Sequence, residues 1–538
     1  MEHLKIGLVH LNVRHNQAEN NRNELVQHNR AAAESGAKIV VNTELAVSGY
    51  SYRSREDIAD AVESVDGPTC RSLAAIASRY GIYIVIGFAE RDAQTGIYYN
   101  AAVALSPEGK VAAHYRKISA ETRWACPGNP LQQNTFDTPW GRIGLLICSD
   151  TYFGAIPRMS ALRGTDLLLV PANWPADPLD PGELWQARAY ENGIFIAACN
   201  RCGMDRTMVF KDTWSCVYGP CGETLMNCSS SDSSVFYAQV PLDRGKLASR
   251  SAERLQSRKP GQYTPLYLDM RYADDLSSYY ELPTPTERVI TVAAAQQEQV
   301  FSPDAVDRMI AGTAPATAAH LIVLPIGIGL SVDEAEETLA RLAVRHRADL
   351  CAGITDTGRQ EKGRIILADS TGRITRYPLL SKDSDSARLC MVDIAGARVL
   401  IAAAEELLHP ELTLAAAKLG CDMAISSTGE CLDDRMHQAL ATRSIEQLYI
   451  AVAGNHRAFI CEPPEGHLRW KEVSSNGNSF CTMRMDTNRS RHKRYYDRFD
   501  LDLLLDRRIS NSATIAEKPQ IHGFRCCQIG AGTRIDCK

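Results

Sequence analysis

The sequence predicts an α/β protein in which helices pack on sheets, with one such unit followed by a second copy of itself. Two observations carry this. Short β-branched and apolar runs alternate with helical stretches through the first half, which argues for layered strands and helices. Several segments of the second half then repeat segments of the first in the same order. At 538 residues the chain is also too long for a single hydrophobic core.

The elements follow from periodicity and punctuation. Ile6–Leu11 reads as a strand. Asn21–Glu34, with Leu25, Val26, Ala32 and Ala33 at helical spacing, reads as a helix that Gly36 ends. Ile39–Asn42, Tyr83–Phe88, Ala101–Leu105 and Val111–Tyr115 read as strands, with a helix over Thr69–Tyr80 and a turn over Ser106–Gly109. Next come a strand over Gly144–Cys148, a helix around Ile156–Arg163 and a strand over Asp166–Pro171. The helix Gly182–Glu191 and the strand Ile194–Cys199 complete the series. The stretch Gly261–Glu287, rich in Tyr, Pro, Ser and charge, reads as a linker or surface arm.

The repeat is read residue against residue. Ile290–Ala295 resembles Ile6–Leu11, Ala319–Pro325 lies over Ala37–Thr43, and Asp369–Arg376 lies over Ser106–Ala113. Gly396–Ala404 lies over Gly141–Cys148 with one residue inserted, and the register then runs to Leu419–Asp422 over Arg163–Asp166. Thr442–Glu446 matches Ala187–Glu191. The expected units are residues 1–265, a linker 266–288, a second copy 289–508 and a tail 509–538.

Composition narrows the function classes. The formal net charge is −5 with no basic stripe, which excludes nucleic acid and a membrane surface as expected partners. No apolar run approaches the roughly 18–20 residues of a membrane span. The opening residues lack the pattern of a secretory signal, so the expected location is cytoplasmic. The 17 cysteines are odd in number and scattered, which argues against a disulfide framework. Cys199 and Cys202 have CxxC spacing without a second pair, and Cys199 closes an apolar run, so a buried thiol is expected there. Cys526 and Cys527 read as incidental thiols on the tail.

Three strand-like runs end in reactive side chains. Ile39–Glu44 delivers a carboxylate, Val111–Lys117 an amine and Gly144–Cys148 a thiol. Strand ends are where side chains distant in sequence converge on one pocket. A thiol needs a base or a nearby cation to become a nucleophile. Glu44 is placed to take the thiol proton and later to activate water. Lys117 and the backbone N–H of Ser149 are placed to hold the oxyanion of a tetrahedral intermediate. Taken singly, each residue has an ordinary reading: a solvated loop glutamate, a surface lysine, a core cysteine. Their joint occurrence in this order favours chemistry.

Glu44 in Asn-Thr-Glu-Leu, Lys117 in His-Tyr-Arg-Lys-Ile and Cys148 in Gly-Leu-Leu-Ile-Cys-Ser-Asp resemble the Glu–Lys–Cys triad of the nitrilase superfamily of carbon–nitrogen hydrolases. The resemblance covers roughly residues 4–265. It extends to Ala187–Asn192, Cys199–Gly203, Trp214-Ser215 and Gly219–Gly222. It implies two tandem α–β–β–α sandwiches, no metal or organic cofactor, a thioester intermediate and frequent oligomerisation. Thr43 stands where the family usually has Pro. Glu121 is the candidate for the second glutamate that many members carry, a plain helix-face carboxylate being the other reading. Cys148-Ser-Asp150 resembles the amidase and carbamoylase branches more than true nitrilases, which tend to have Trp-Glu after the cysteine. Asn173 and Trp174 fall where the family places substrate-contacting residues, with packing as the alternative for Trp174.

The expected activity is hydrolysis of a small amide or carbamoyl compound with release of ammonia. Nitrile hydrolysis, acyl transfer to an amine and a non-catalytic binding role are the alternatives. In the second copy Glu44 falls on Ile326, Lys117 on Leu380 and Cys148 on Ala404. With no nucleophile the covalent route is closed there. The second copy therefore reads as a pseudoenzyme domain that forms a pseudo-dimer with the first.

Overall fold

The computed structural model describes residues 2–267 except 207, and then 288–297, 303–312, 318–327, 331–354, 364–378, 389–429, 432–465, 469–475, 477 and 479–491. In the first half the strands are β1 (Glu2–His10), β2 (Ile39–Asn42), β3 (Tyr83–Arg91), β4 (Tyr98–Leu105) and β5 (Val111–Arg116). They are followed by β6 (Thr135–Thr138), β7 (Gly141–Leu145), β8 (Leu167–Pro171) and β9 (Phe195–Cys199). The helices are α1 (Ala18–Glu34), α2 (Arg55–Ile58), α3 (Pro68–Tyr80), α4 (Ala155–Leu162) and α5 (Pro181–Asn192), with a short helix over Ser251–Gln256.

β1 through β5 lie side by side in one sheet, extended past β1 by Ser234–Asp243 and Lys246–Leu247. β6 to β9 form a second sheet, extended past β9 by Ser215–Tyr218 and Thr224–Cys228. In each sheet the three central strands are parallel, β1–β2–β3 and β7–β8–β9. Parallel strands covered on both faces are apolar along their whole length, which is why β2 and β8 show no alternation. Between the sheets, Ile6, Leu8, Ile39, Val41 and Val85 pack with Ile143, Leu145, Leu167 and Leu169. On the outer face of the first sheet, Val40, Ile84 and Ile86 meet Leu25 and Ala32 of α1 and Leu73 and Ile76 of α3. α4 and α5 cover the second sheet. The order is helix, sheet, sheet, helix.

Helix ends follow local chemistry. Pro181 starts α5 behind Asp180, whose side chain accepts from the Gly182 N–H, and Gly193 at φ 63° closes it. α3 likewise opens with Pro68 and closes at Gly81, φ 63°.

The second half holds two further six-stranded sheets. One runs Ile374–Pro378, Arg364–Ala368, Asp349–Ile354, Leu321–Gly327, Val289–Gln296, Ser479–Asp486. The other runs Met391–Ile394, Ala397–Ile401, Met423–Ser427, Tyr449–Ala453, Phe459–Glu462, Lys471–Ser474. Ile290, Val292, Leu321 and Val323 face Val399, Ile401, Met423 and Ile425 between them.

Two readings need correction. Cys148 does not close a strand: β7 ends at Leu145 and Cys148 opens a 3-10 turn, Cys148–Tyr152. The start of the stretch read as a linker is not a surface arm. Pro260–Tyr267 forms a 3-10 turn whose Gln262, Tyr263 and Leu266 are buried, and Lys418 Nζ approaches the Leu266 carbonyl at 3.4 Å. Within this turn Tyr263 and Leu266 join a core that includes Leu412 and Leu414 of the second half, and Pro265 is buried as well. The rest of that stretch, Leu380, and the Cys526–Cys527 pair lie outside the described residues. Among the described residues no helix is long and apolar enough to cross a membrane.

Candidate active site

Each member of the site hangs just beyond a strand end. Glu44 lies two residues past β2, and its main chain is fixed on both sides. Its N–H donates to the Ala172 carbonyl (3.3 Å), its carbonyl accepts from Asn173 Nδ2 (2.8 Å), and the preceding Thr43 hydroxyl donates to Ala172 (2.5 Å). Gly87 on β3 permits this close approach, since a Cβ there would lie 2.7 Å from Glu44 Cα and 3.0 Å from the Thr43 carbonyl. Lys117 follows β5 directly, its N–H donating to the Asn100 carbonyl of β4 (2.8 Å).

The side chains converge in a sealed cluster. Lys117 Nζ donates to Glu44 Oε1 and to Glu121 Oε1, each at 2.7 Å, and all three side chains are removed from solvent. Asn100 Nδ2 bridges the same carboxylates, 2.7 Å from Glu44 Oε1 and 2.9 Å from Glu121 Oε2. The Tyr50 hydroxyl donates to Glu121 Oε1 at 2.7 Å. Glu121 is thus a member of the cluster and not a helix-face carboxylate on the surface.

Burial opposes every charge here, and two carboxylates share one ammonium. Burial would lower Lys117, but Glu121 and Glu44 outweigh it, with a smaller contribution from the nearby Cys148, so the amine stays protonated. Burial pushes the Glu44 carboxyl upward against the pull of Lys117, and Glu121 adds to the rise. The cluster therefore holds a fixed cation beside a carboxylate raised toward neutrality, the condition for a general base.

Cys148 sits at φ +45°, in the left-handed region that non-glycine residues rarely adopt. The turn is held tightly. Its carbonyl accepts from the Thr151 hydroxyl (2.7 Å), and the Asp150 N–H donates to the Ile147 carbonyl (2.9 Å). Asp150 ties the turn to the chain after Lys117, accepting from the Ser119 N–H and hydroxyl (both 2.8 Å) and from the Tyr115 hydroxyl (2.8 Å). Ser149 Oγ lies 3.0 Å from Ser119 Oγ. On the α5 side, Trp185 Nε1 donates to Thr151 Oγ1 (3.1 Å), and Arg188 donates to the carbonyls of Thr151 (2.8 Å) and Tyr152 (2.7 Å).

Of the two residues expected to touch substrate, Asn173 directs its amide N–H to the Glu44 main chain. Trp174 has its main chain paired with the Asn200 amide, while its ring packs 6.3 Å from Tyr152 and 6.5 Å from Trp185. Cys199 is buried, as expected of a core thiol, and donates to the Val9 carbonyl. Asn100, Tyr50, Ser119, Trp185 and Arg188 were not singled out from the sequence. Asn100 carried a signal, a lone amide inside an apolar strand, and Arg188 lies in the segment Ala187–Asn192 that the resemblance covers; the others become recognisable only through partners distant in sequence.

The carbon–nitrogen hydrolase family model matches residues 5–250. A probable nitrilase of Schizosaccharomyces pombe is 30% identical over 238 residues, covering 42% of this chain and 85% of that protein. A nitrilase of Pyrococcus abyssi is 30% identical over 243 residues, 44% of this chain and 90% of that one. The omega-amidase of Homo sapiens is 30% identical over 230 residues, 40% of this chain and 80% of that one. All three matches span less than half of this chain, and each covers most of the relative. On the site, the sandwich and these relatives together, the chain belongs to the carbon–nitrogen hydrolases of the nitrilase superfamily.

Proposed function

We propose that the first half hydrolyses a small carboxamide or carbamoyl compound through a thioester on Cys148, releasing ammonia. The observation that carries this is the buried Lys117 ammonium clamped between Glu44 and Glu121 beside the Cys148 turn. In the proposed sequence the Cys148 Sγ attacks the carbonyl carbon while Glu44 takes the thiol proton. The oxyanion is held by Lys117 and the Ser149 N–H. Collapse breaks the C–N bond, Glu44 returns the proton to the departing nitrogen, and ammonia leaves. Glu44 then takes a proton from water, which attacks the thioester carbon. Collapse breaks the C–S bond, the carboxylic acid departs, and Glu44 returns its proton to the Cys148 sulfur. Asn100 and Tyr50 orient the carboxylates.

An amide is favoured over a nitrile by the likeness of Cys148-Ser-Asp150 to the amidase and carbamoylase branches; in this turn the Asp150 carboxylate accepts from Ser119 and Tyr115. The relatives include both nitrilases and an omega-amidase. Ammonia release over a panel of amides, ureides and nitriles, with and without an added amine, separates hydrolysis of each class from acyl transfer.

In the same reading the second half is a degenerate copy that stands in for a second subunit. Two placements support it. Ile326, inside the strand Leu321–Gly327, directs its N–H to the Thr428 carbonyl (3.5 Å), as the Glu44 N–H faces the Ala172 carbonyl. Ala404 lies three residues past Ile401, as Cys148 lies three past Leu145. A fragment 1–265 that stayed soluble, stable and fully active would contradict this role.

A further inference from the structure

A network of fully buried charges lies between the two halves. We infer that Arg443, a residue of the second half, is a positioning residue for the Cys148 turn and acts on it through Glu191 and Arg188. This rests on the reading of Cys148 as nucleophile.

The relay is continuous. Arg443 Nη2 donates to Glu191 Oε2 at 2.8 Å, and Glu191 accepts from Arg188 Nη1 at 3.0 and 3.1 Å. Arg188 also reaches the Thr442 hydroxyl at 3.3 Å. Its remaining nitrogens hold the carbonyls of Thr151 and Tyr152, the last two residues of the turn that Cys148 opens. Thr151 in turn donates to the Cys148 carbonyl. Arg188, Glu191 and Arg443 are all sealed from solvent, and Glu446 pairs with Arg443 at 3.2 Å.

A second contact reaches the same segment from the same side chain. Gly154 follows the turn by two residues, and a Cβ there would lie 2.8 and 2.9 Å from the two terminal nitrogens of Arg443. The guanidinium thus lies close against Gly154, just beyond the turn that Cys148 opens. A turn held at φ +45° persists only if its surroundings over-determine it. Here part of that determination comes from the other half.

The internal register sharpens the point. Arg443 and Glu446 lie over Arg188 and Glu191 at the same spacing, whereas Ile326 and Ala404 stand where the first half has Glu44 and Cys148. The second half has no counterpart of the nucleophile but carries the ion pair that reaches it.

The test uses the full chain and two readouts: steady-state ammonia release, and the rate at which iodoacetamide modifies Cys148, followed by peptide mass spectrometry across pH. Arg443→Ala is expected to lower kcat by about tenfold or more with KM held within about twofold. Cys148 modification should slow in parallel, and Arg443→Lys should recover part of both. Arg469→Ala, which removes an exposed ion pair between the halves with Glu183, should leave both unchanged. A folded Arg443→Ala protein with wild-type kcat and wild-type Cys148 reactivity would overturn the proposal, as would a loss confined to KM. If Arg443→Ala does not fold, Arg443→Lys decides: a fall in kcat and reactivity supports the relay, and wild-type values overturn it. Failure of the nucleophile reading is seen separately, as activity retained by Cys148→Ala whatever the Arg443 variants do.

Discussion

Lys117 Nζ lies 2.7 Å from Glu44 Oε1, and neither side chain touches solvent. A buried pair of this kind is costly to break from one side, because the partner is left as an uncompensated charge. Its retention beside Cys148 is what makes the first half chemically competent on the proposed mechanism.

Glu44→Gln keeps the shape and the contact to Lys117 but removes the base. The expected result is a fall in kcat of roughly 10²–10⁴-fold, read as ammonia release, with the far-UV spectrum unchanged.

Asn100 donates to both carboxylates, and its hydrogen bond holds the Glu44 carboxyl down against burial. Asn100→Leu removes a stabiliser of the ionised form, so Glu44 rises further. The acid limb of the kcat/KM profile should move to higher pH, and stability should fall by about 1–3 kcal/mol. A pH–rate series beside a urea titration measures both.

Glu446 supplies a pH dependence of stability. Burial pushes its carboxyl up to about 7, against the opposing pull of Arg443 and Arg188. A carboxyl whose folded value exceeds its unfolded value favours the fold while protonated. That contribution is complete below the ordinary carboxylate value of 4.5 and is lost as pH climbs through about 7. The loss by pH 8–9 should reach about 3 kcal/mol at most. Glu446→Gln should flatten this slope in denaturant titrations between pH 5 and 9.

Gly87→Ala places a methyl against Glu44 Cα and the Thr43 carbonyl, both main-chain atoms with no freedom to step aside. The expected cost is about 1–3 kcal/mol of stability. Activity should fall as well, because the displaced backbone carries the base. Thermal unfolding and ammonia release test the two parts.

Much of this was legible in the sequence. Strand-terminal placement singled out Glu44, Lys117 and Cys148, and the expected first-half elements agree with the observed ones to within about four residues, Cys148 aside. What escaped detection depends on contacts across space. Asn100 and Tyr50 matter because they meet Glu121 across 21 and 71 residues. Periodicity extended the strand to Cys148 because Leu146 and Ile147 are buried apolar residues; their non-strand backbone leaves no mark in composition. The packed residues 261–267 carry a linker-like composition because Pro and Tyr mark both linkers and buried corners.

The most direct measurement compares wild type with Cys148→Ala on whichever panel amide releases ammonia fastest. Acid-quenched wild-type protein is examined for an acyl adduct. The account predicts an adduct on the Cys148 peptide, with ammonia release abolished in the variant. Cys148→Ala protein that releases ammonia at the wild-type rate would contradict it.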